Sequence, residues 1–134
     1  MPYEIHESDD GAVLTIAHTG VVTIAEIEAA AVDFKRLKTD ALLGWVMDMR
    51  GVESRPDDAD SLVWLIDRKD APPFQAGKAA LLVLESQYDE WEFIALASRN
   101  RGAVLWCFTD ETKALEWVRT PIEGREPDGS PGQQ

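Results

Sequence analysis

Cysteine is almost absent from this chain: Cys107 stands alone in 134 residues, so no internal disulfide can form. It lies in the apolar run 103–108, where a small buried core residue is expected rather than a reactive thiol. Histidine is scarce as well. Neither His6 nor His18 has a Cys, Asp or Glu partner at ligand spacing, so we expect no metal and no cofactor. No apolar run is long enough to span a bilayer, none follows Met1-Pro2-Tyr3 as a signal segment, and no internal repeat is visible. The cytoplasm is the default compartment. Positive charge is the other shortage, 13 Lys and Arg against 25 Asp and Glu, for a formal net charge of −12. That field repels nucleic acid and anionic lipid, which leaves a basic protein or an uncharged ligand as the easier partner. Also missing are a Gly-x-Ser-x-Gly turn, a glycine-rich phosphate loop and a Cys–His pair with an orienting group. We therefore expect a non-catalytic protein.

What is present is ordinary globular material, 45% hydrophobic and 28% charged. The length fits one domain, able to bury roughly two-thirds of its unfolded surface. We place it over 1–120. Residues 121–134 carry Pro121, Gly124, Pro127, Gly129, Pro131 and Gly132 with no hydrophobic period, and read as a flexible tail.

The stretch 44–70 organises the rest. Gly44 to Asp48 reads as a strand apolar on both faces, as in a sheet covered on both sides. A polar turn is predicted over 49–56 and a helix over 57–68. Asp48 is thereby expected at a strand's carboxyl end, beside the crevice where open α/β sheets receive ligands. Before it, runs 3–7 and 12–19 flank Asp9-Asp10-Gly11, a hairpin signal, with Gly20 ending the second run. Thr23-Ile24-Ala25-Glu26 is a capping-box pattern that opens a helix. Its Ile24, Ile27, Ala31, Phe34 and Lys38 recur at helical spacing, with Glu26, Glu28, Asp33, Lys35 and Arg36 on the water side. After it come a Pro72-Pro73 connection, a buried strand over 78–85, a helix from a Ser86 cap to about Asn100, a strand over 104–108, and a helix opened by Thr109. This helix buries Ala114, Leu115 and Val118, with Trp117 beside them. The fold class is α/β: a mixed five-stranded sheet that opens with an antiparallel hairpin and continues with parallel strands joined by crossover helices.

Three segments carry a resemblance: Gly20-Val21-Val22-Thr23-x-x-Glu26, Asp48-Met49-Arg50-Gly51-Val52, and Phe108-Thr109-Asp110-Glu111-x-x-Ala114-Leu115-x-Trp117. In order and spacing they resemble the STAS domains of anti-sigma factor antagonists, and more closely the SpoIIAA-like (STAS-like) family, related in fold to CRAL-TRIO lipid-binding domains. The resemblance covers about residues 3 to 119. It implies regulatory protein contact or binding of a small hydrophobic ligand, with no established reaction. Antagonist STAS domains carry a phosphorylatable serine at the start of the helix after the aspartate loop, a place that here falls near Asp57-Asp58.

The expected site is the loop and helix after the third strand, with Asp48, Arg50, Ser54, Asp57, Asp58, Trp64 and Phe74 as partner- or ligand-binding residues. Asp48 could in principle accept a phosphoryl group, but receiver domains need an acidic pair after the first strand, and this chain has a hairpin there. The plainer reading is that Asp48 accepts amide hydrogen bonds and fixes its own loop. Asp57, Asp58 and Asp60 suit the first turn of a helix through its dipole. Trp64 lies some 200° from Leu62 at roughly 100° per residue, so a sheet that buries Leu62, Leu65 and Ile66 cannot cover it. Trp64 is therefore expected under the Pro72-Pro73-Phe74 connection or a neighbouring helix, under a protein partner, beneath a bound hydrophobic molecule, or in the interface of a homodimer.

Overall fold

A computed structural model of the protein describes residues 3–37, 40–55, 57, 78–100 and 104–120. Strands β1 (Tyr3–Glu7) and β2 (Val13–Val21) form the hairpin, and α1 (Ile24–Leu37) leads to β3 (Gly44–Ser54). Strand β4 (Lys78–Leu82) is followed by a 3-10 turn (Glu85–Gln87) and α2 (Tyr88–Arg99), then β5 (Val104–Phe108) and α3 (Glu111–Arg119). The five strands lie in chain order, antiparallel between β1 and β2 and parallel thereafter. This is the mixed sheet that the alternation of periods implies.

The hairpin closes as its Asp-Gly signal requires. Gly11 takes a positive φ of 70°, a conformation that costs a residue with a Cβ far more than glycine. Asp10 accepts from the Ala12 amide at 3.0 Å and from the Ser8 hydroxyl at 2.7 Å. Ser8 N–H donates to the Val13 carbonyl, which sets the alternation of hydrogen bonds along the pair.

Consecutive parallel strands joined by crossovers of one hand place their helices on one side. Accordingly α1 and α2 cover one face, where Phe34, Trp91 and Ala95 pack on Leu14, Ile16, Trp45, Met49, Leu81 and Cys107. The Phe34 and Trp45 rings lie 4.9 Å apart, and burying a side chain such as Phe34 contributes about 1.5–3 kcal/mol. Helix α3 follows the last strand and folds back onto the opposite face, setting Ala114, Trp117 and Val118 over Val13, Val46, Ala80, Leu82 and Phe108. No helix of the described residues is long and apolar enough to cross a membrane.

Several expectations need correction. The third strand does not stop at Asp48. It runs to Ser54, so most of the expected turn over 49–56 is strand, because Met49 and Val52 are buried in the core. Strand β2 continues one residue past Gly20, β4 ends at Leu82, and Ser86 sits inside the 3-10 turn instead of capping a helix. Asp110, not Thr109, caps α3, its carboxylate accepting from the Lys113 amide at 3.1 Å. In α3 Trp117 is buried while Leu115 is only partly so. The Glu26 amide does bond Thr23 Oγ1 at 3.2 Å, but the Glu26 side chain is buried rather than on the water side. Of the predicted helix over 57–68 only Asp57 is described; its remainder, the Pro72-Pro73 connection and the tail from 121 lie outside the described residues.

Candidate functional site

The site grows out of an irregularity in β3. Its pairing with β2 runs in register to Ala17 opposite Asp48, then resumes with Thr19 opposite Gly51 and again with Val21 opposite Ser54. Strand β3 thus carries extra residues at two bulges, which bend and twist a strand and are found near functional sites. The first bulge lets Met49 and Val52, three apart, both enter the α1/α2 core. Arg50 and Gly51 between them are exposed.

Asp48 and Arg50 lock together there. Arg50 Nε donates to Asp48 Oδ1 at 3.0 Å and a terminal nitrogen to Oδ2 at 2.9 Å, a forked pair. The Arg50 amide also donates to Oδ1 at 3.1 Å, so Asp48 fixes its own segment as expected. Burial pushes the Asp48 carboxyl up, but the hydrogen bonds from Arg50 outweigh it and hold the group below its ordinary range. Arg50 also approaches Glu111 in the first turn of α3 at 3.5 Å. The cluster is an acceptor, a cation and a second acid held at the seam between sheet and helix. It contains no nucleophile with an adjacent base.

Because α3 is short, it covers only part of its face of the sheet, and among the described residues no other helix packs there. Alternation puts Glu4 and His6 of β1 and Thr15, Ala17 and Thr19 of β2 on this face. Glu4, His6 and Thr19 are exposed and Thr15 and Ala17 half-buried. With Asp48 and Arg50 they make a polar surface on the strands. Beneath it the overhang of β3 past β4 is tied down: Gln87 Nε2 donates to the Met49 and Val52 carbonyls at 3.3 and 3.1 Å. Arg55 Nε meets Glu90 at 2.8 Å, and its guanidinium lies 5.4 Å from the Trp91 ring centre.

Of the expected site residues, Asp48 and Arg50 come together. Ser54 ends β3, exposed, and Asp57 is exposed. Asp58, Trp64 and Phe74 lie outside the described residues. Among the described residues no three His, Cys, Asp or Glu side chains are grouped to hold a metal.

Three polar contacts, two buried and one half-buried, were not anticipated. His18 Nδ1 lies 2.5 Å from Glu26 Oε2, both side chains nearly inaccessible. The signal was present: His18 shares the parity of Leu14 and Ile16, which puts it on the buried face, five residues before the helix cap. Lys78 opens β4 fully buried and caps the end of α3, donating to the Trp117 carbonyl at 3.1 Å, the Thr120 carbonyl at 2.6 Å and Thr120 Oγ1. A cation at a helix C-terminus is favoured by the dipole, but nothing local in the sequence brings residue 78 to residue 120. Tyr3 donates its hydroxyl to Asp33 Oδ2 at 2.5 Å, tying β1 to α1.

Among the described residues the sheet lies in chain order, antiparallel at its first pair, with two helices on one face and the last helix on the other. The chain is similar in structure to a solved, uncharacterized DUF3478-family protein with a SpoIIAA-like fold from Shewanella loihica PV-4. That structure superposes with a TM-score of 0.56 at 19% identity, over 87% of this chain and 91% of that one. The fold is SpoIIAA-like. In this SpoIIAA-like sheet the Asp48–Arg50 cluster sits where β3 outruns β4. No protein-family model matches the chain, and no curated protein matches it.

Proposed function

We propose that this chain is a non-catalytic regulatory or protein-interaction module of the STAS/SpoIIAA-like type, working in the cytoplasm. The supporting observation is the open polar half of the sheet among the described residues, with Arg50 bonded to Asp48 and ion-paired with Glu111 beside it. A rigid, pre-bonded surface loses little conformational freedom on docking, which favours recognition. The segment after β3, with Asp57, Asp58, Trp64 and Phe74, adjoins this surface in sequence and extends it in this reading. The test is quantitative affinity capture with Arg50→Glu and Thr19→Glu against a Phe93→Ser control on the exposed side of α2. Partners lost from the first two and kept by the control support the surface. Partners indifferent to both substitutions remove it.

A second reading, a carrier of a small hydrophobic ligand, is favoured by one group. Trp45 Nε1 is buried beside Phe34 with no hydrogen-bond acceptor among the described residues, and an orphaned buried donor calls for explanation. A ligand carbonyl or carboxylate would satisfy it. Native mass spectrometry of freshly purified protein separates the readings: retained lipid-sized mass lost in Trp45→Phe favours the carrier, and a bare mass unchanged by added fatty acid rejects it.

A further inference from the structure

The two edges of the sheet are treated differently. At β5 the outer edge is covered by Arg99, which donates to the Leu105 carbonyl at 2.9 Å, bonds Glu92 and lies 3.9 Å over the Trp106 ring. Among the described residues nothing comparable covers β1. The Ser8 to Val13 bond and the register of the hairpin turn the backbone groups of Glu4 and His6 toward β2. Those of Tyr3, Ile5 and Glu7 therefore point outward. An unpaired strand edge is a template for another strand.

We propose that β1 pairs antiparallel with β1 of a second copy about a two-fold axis through Ile5, joining the sheets into one. The register follows from hydrogen bonds and charge together. With Ile5 opposite Ile5 of the partner subunit and Tyr3 opposite Glu7, all of the outward N–H and C=O groups of β1 are satisfied. A two-residue slip either way leaves Tyr3 or Glu7 without a partner. The same register sets Glu4 opposite the other copy's His6, twice. These are the non-hydrogen-bonded positions, where side chains stand closest. A slip one way sets Glu4 against Glu4, the other way His6 against His6. Glu4 and His6 are both exposed and lie 3.4 Å apart within one chain, so the dimer holds an alternating ring of acid and imidazole. Charges on an edge strand usually deter pairing. Here the spacing of one acid and one imidazole is self-complementary under the two-fold, which turns the same residues into a register key. Five residues of strand bury less than a standard interface, and each chain carries a net charge of −12. The dimer is accordingly weak and concentration-dependent.

Sedimentation velocity across protein concentration at physiological ionic strength tests this on the full chain. Wild type is expected to shift from monomer to dimer. His6→Glu sets acid against acid at both positions and weakens association about tenfold or more, while the swap Glu4→His with His6→Glu restores it. Both side chains are exposed, so circular dichroism, and the urea midpoint at concentrations where the chain is monomeric, stay close to wild type in the Glu4 and His6 variants. A monomer at all soluble concentrations overturns the proposal. So does a dimer indifferent to His6→Glu, a swap that fails to rescue, or a dimer lost in Phe93→Glu and kept in His6→Glu. The assay contains this chain alone, so its outcome does not depend on whether the polar face, to which Glu4 and His6 also belong, binds another protein; capture with Arg50→Glu reads that separately.

Discussion

A methyl group at Gly44 should cost this protein a large share of its stability. Gly44 opens β3 opposite Lys78 of β4, and a Cβ built there would stand 2.3 Å from the Lys78 carbonyl oxygen and 2.9 Å from Val118 Cγ1. The nearer atom is backbone of a central strand, whose Lys78 side chain is itself anchored to the end of α3. Relief therefore requires moving strand and helix together. Overpacking in a core costs about 1–3 kcal/mol, and a backbone obstacle belongs at the top of that range. Against it, replacing glycine stiffens the unfolded chain, which stabilises by about 0.4–1 kcal/mol. The net expectation for Gly44→Ala is a loss of about 2 kcal/mol or more, from a total that for such domains is about 5–15 kcal/mol. In urea, with m near 1–3 kcal/mol/M, the midpoint falls by about 1 M. Val118→Ala in the same chain relieves the second contact but not the first, so the double variant should be less unstable than the sum of the singles. A Gly44→Ala midpoint indistinguishable from wild type would refute the reasoning.

Other perturbations follow from the buried polar contacts. His18→Ala leaves the Glu26 carboxylate buried without its partner and should cost about 3–5 kcal/mol, with the His18→Leu, Glu26→Leu double variant recovering much of it; a denaturation cycle in which the singles simply add would contradict the coupling. Tyr3 ionisation is pushed up to about 12, first by its hydrogen bond to Asp33 and then by burial. Its stabilising effect is complete below the unfolded tyrosine value near 10 and lost as pH rises through the folded one. Ultraviolet titration of a Tyr88→Phe background should show this, and Asp33→Asn should return the transition toward 10. Burial pushes the Cys107 thiol well above its ordinary range, so a thiol reagent should label it only at the rate of unfolding; prompt labelling of native protein would place it at the surface.

Period and punctuation in the amino-acid sequence determined the elements and their order. Asp-Gly closed the hairpin, Thr23 capped α1, and the two-face apolar runs at 44–48 and 78–85 supplied central strands, because these signals act within a few residues. Asp48 and Arg50 were each named as candidate site residues, one at a strand end and one in a turn, but their forked pair within a single strand was not foreseen. Local pattern failed where burial on a distant element decided. The polar residues after Asp48 suggest a turn, but the α1/α2 core accepts Met49 and Val52, and bulges absorb the mismatch so that the strand continues to Ser54. Glu26 occupies a water-side position of its helix by spacing, and only the apposition of β2 supplies His18 beneath it. Lys78 belongs by sequence to a strand and by structure to the end of α3, a helix whose last residue is 41 positions later. The open polar face likewise depends on how little of the sheet α3 covers, which is settled by three-dimensional packing and not by any run of residues.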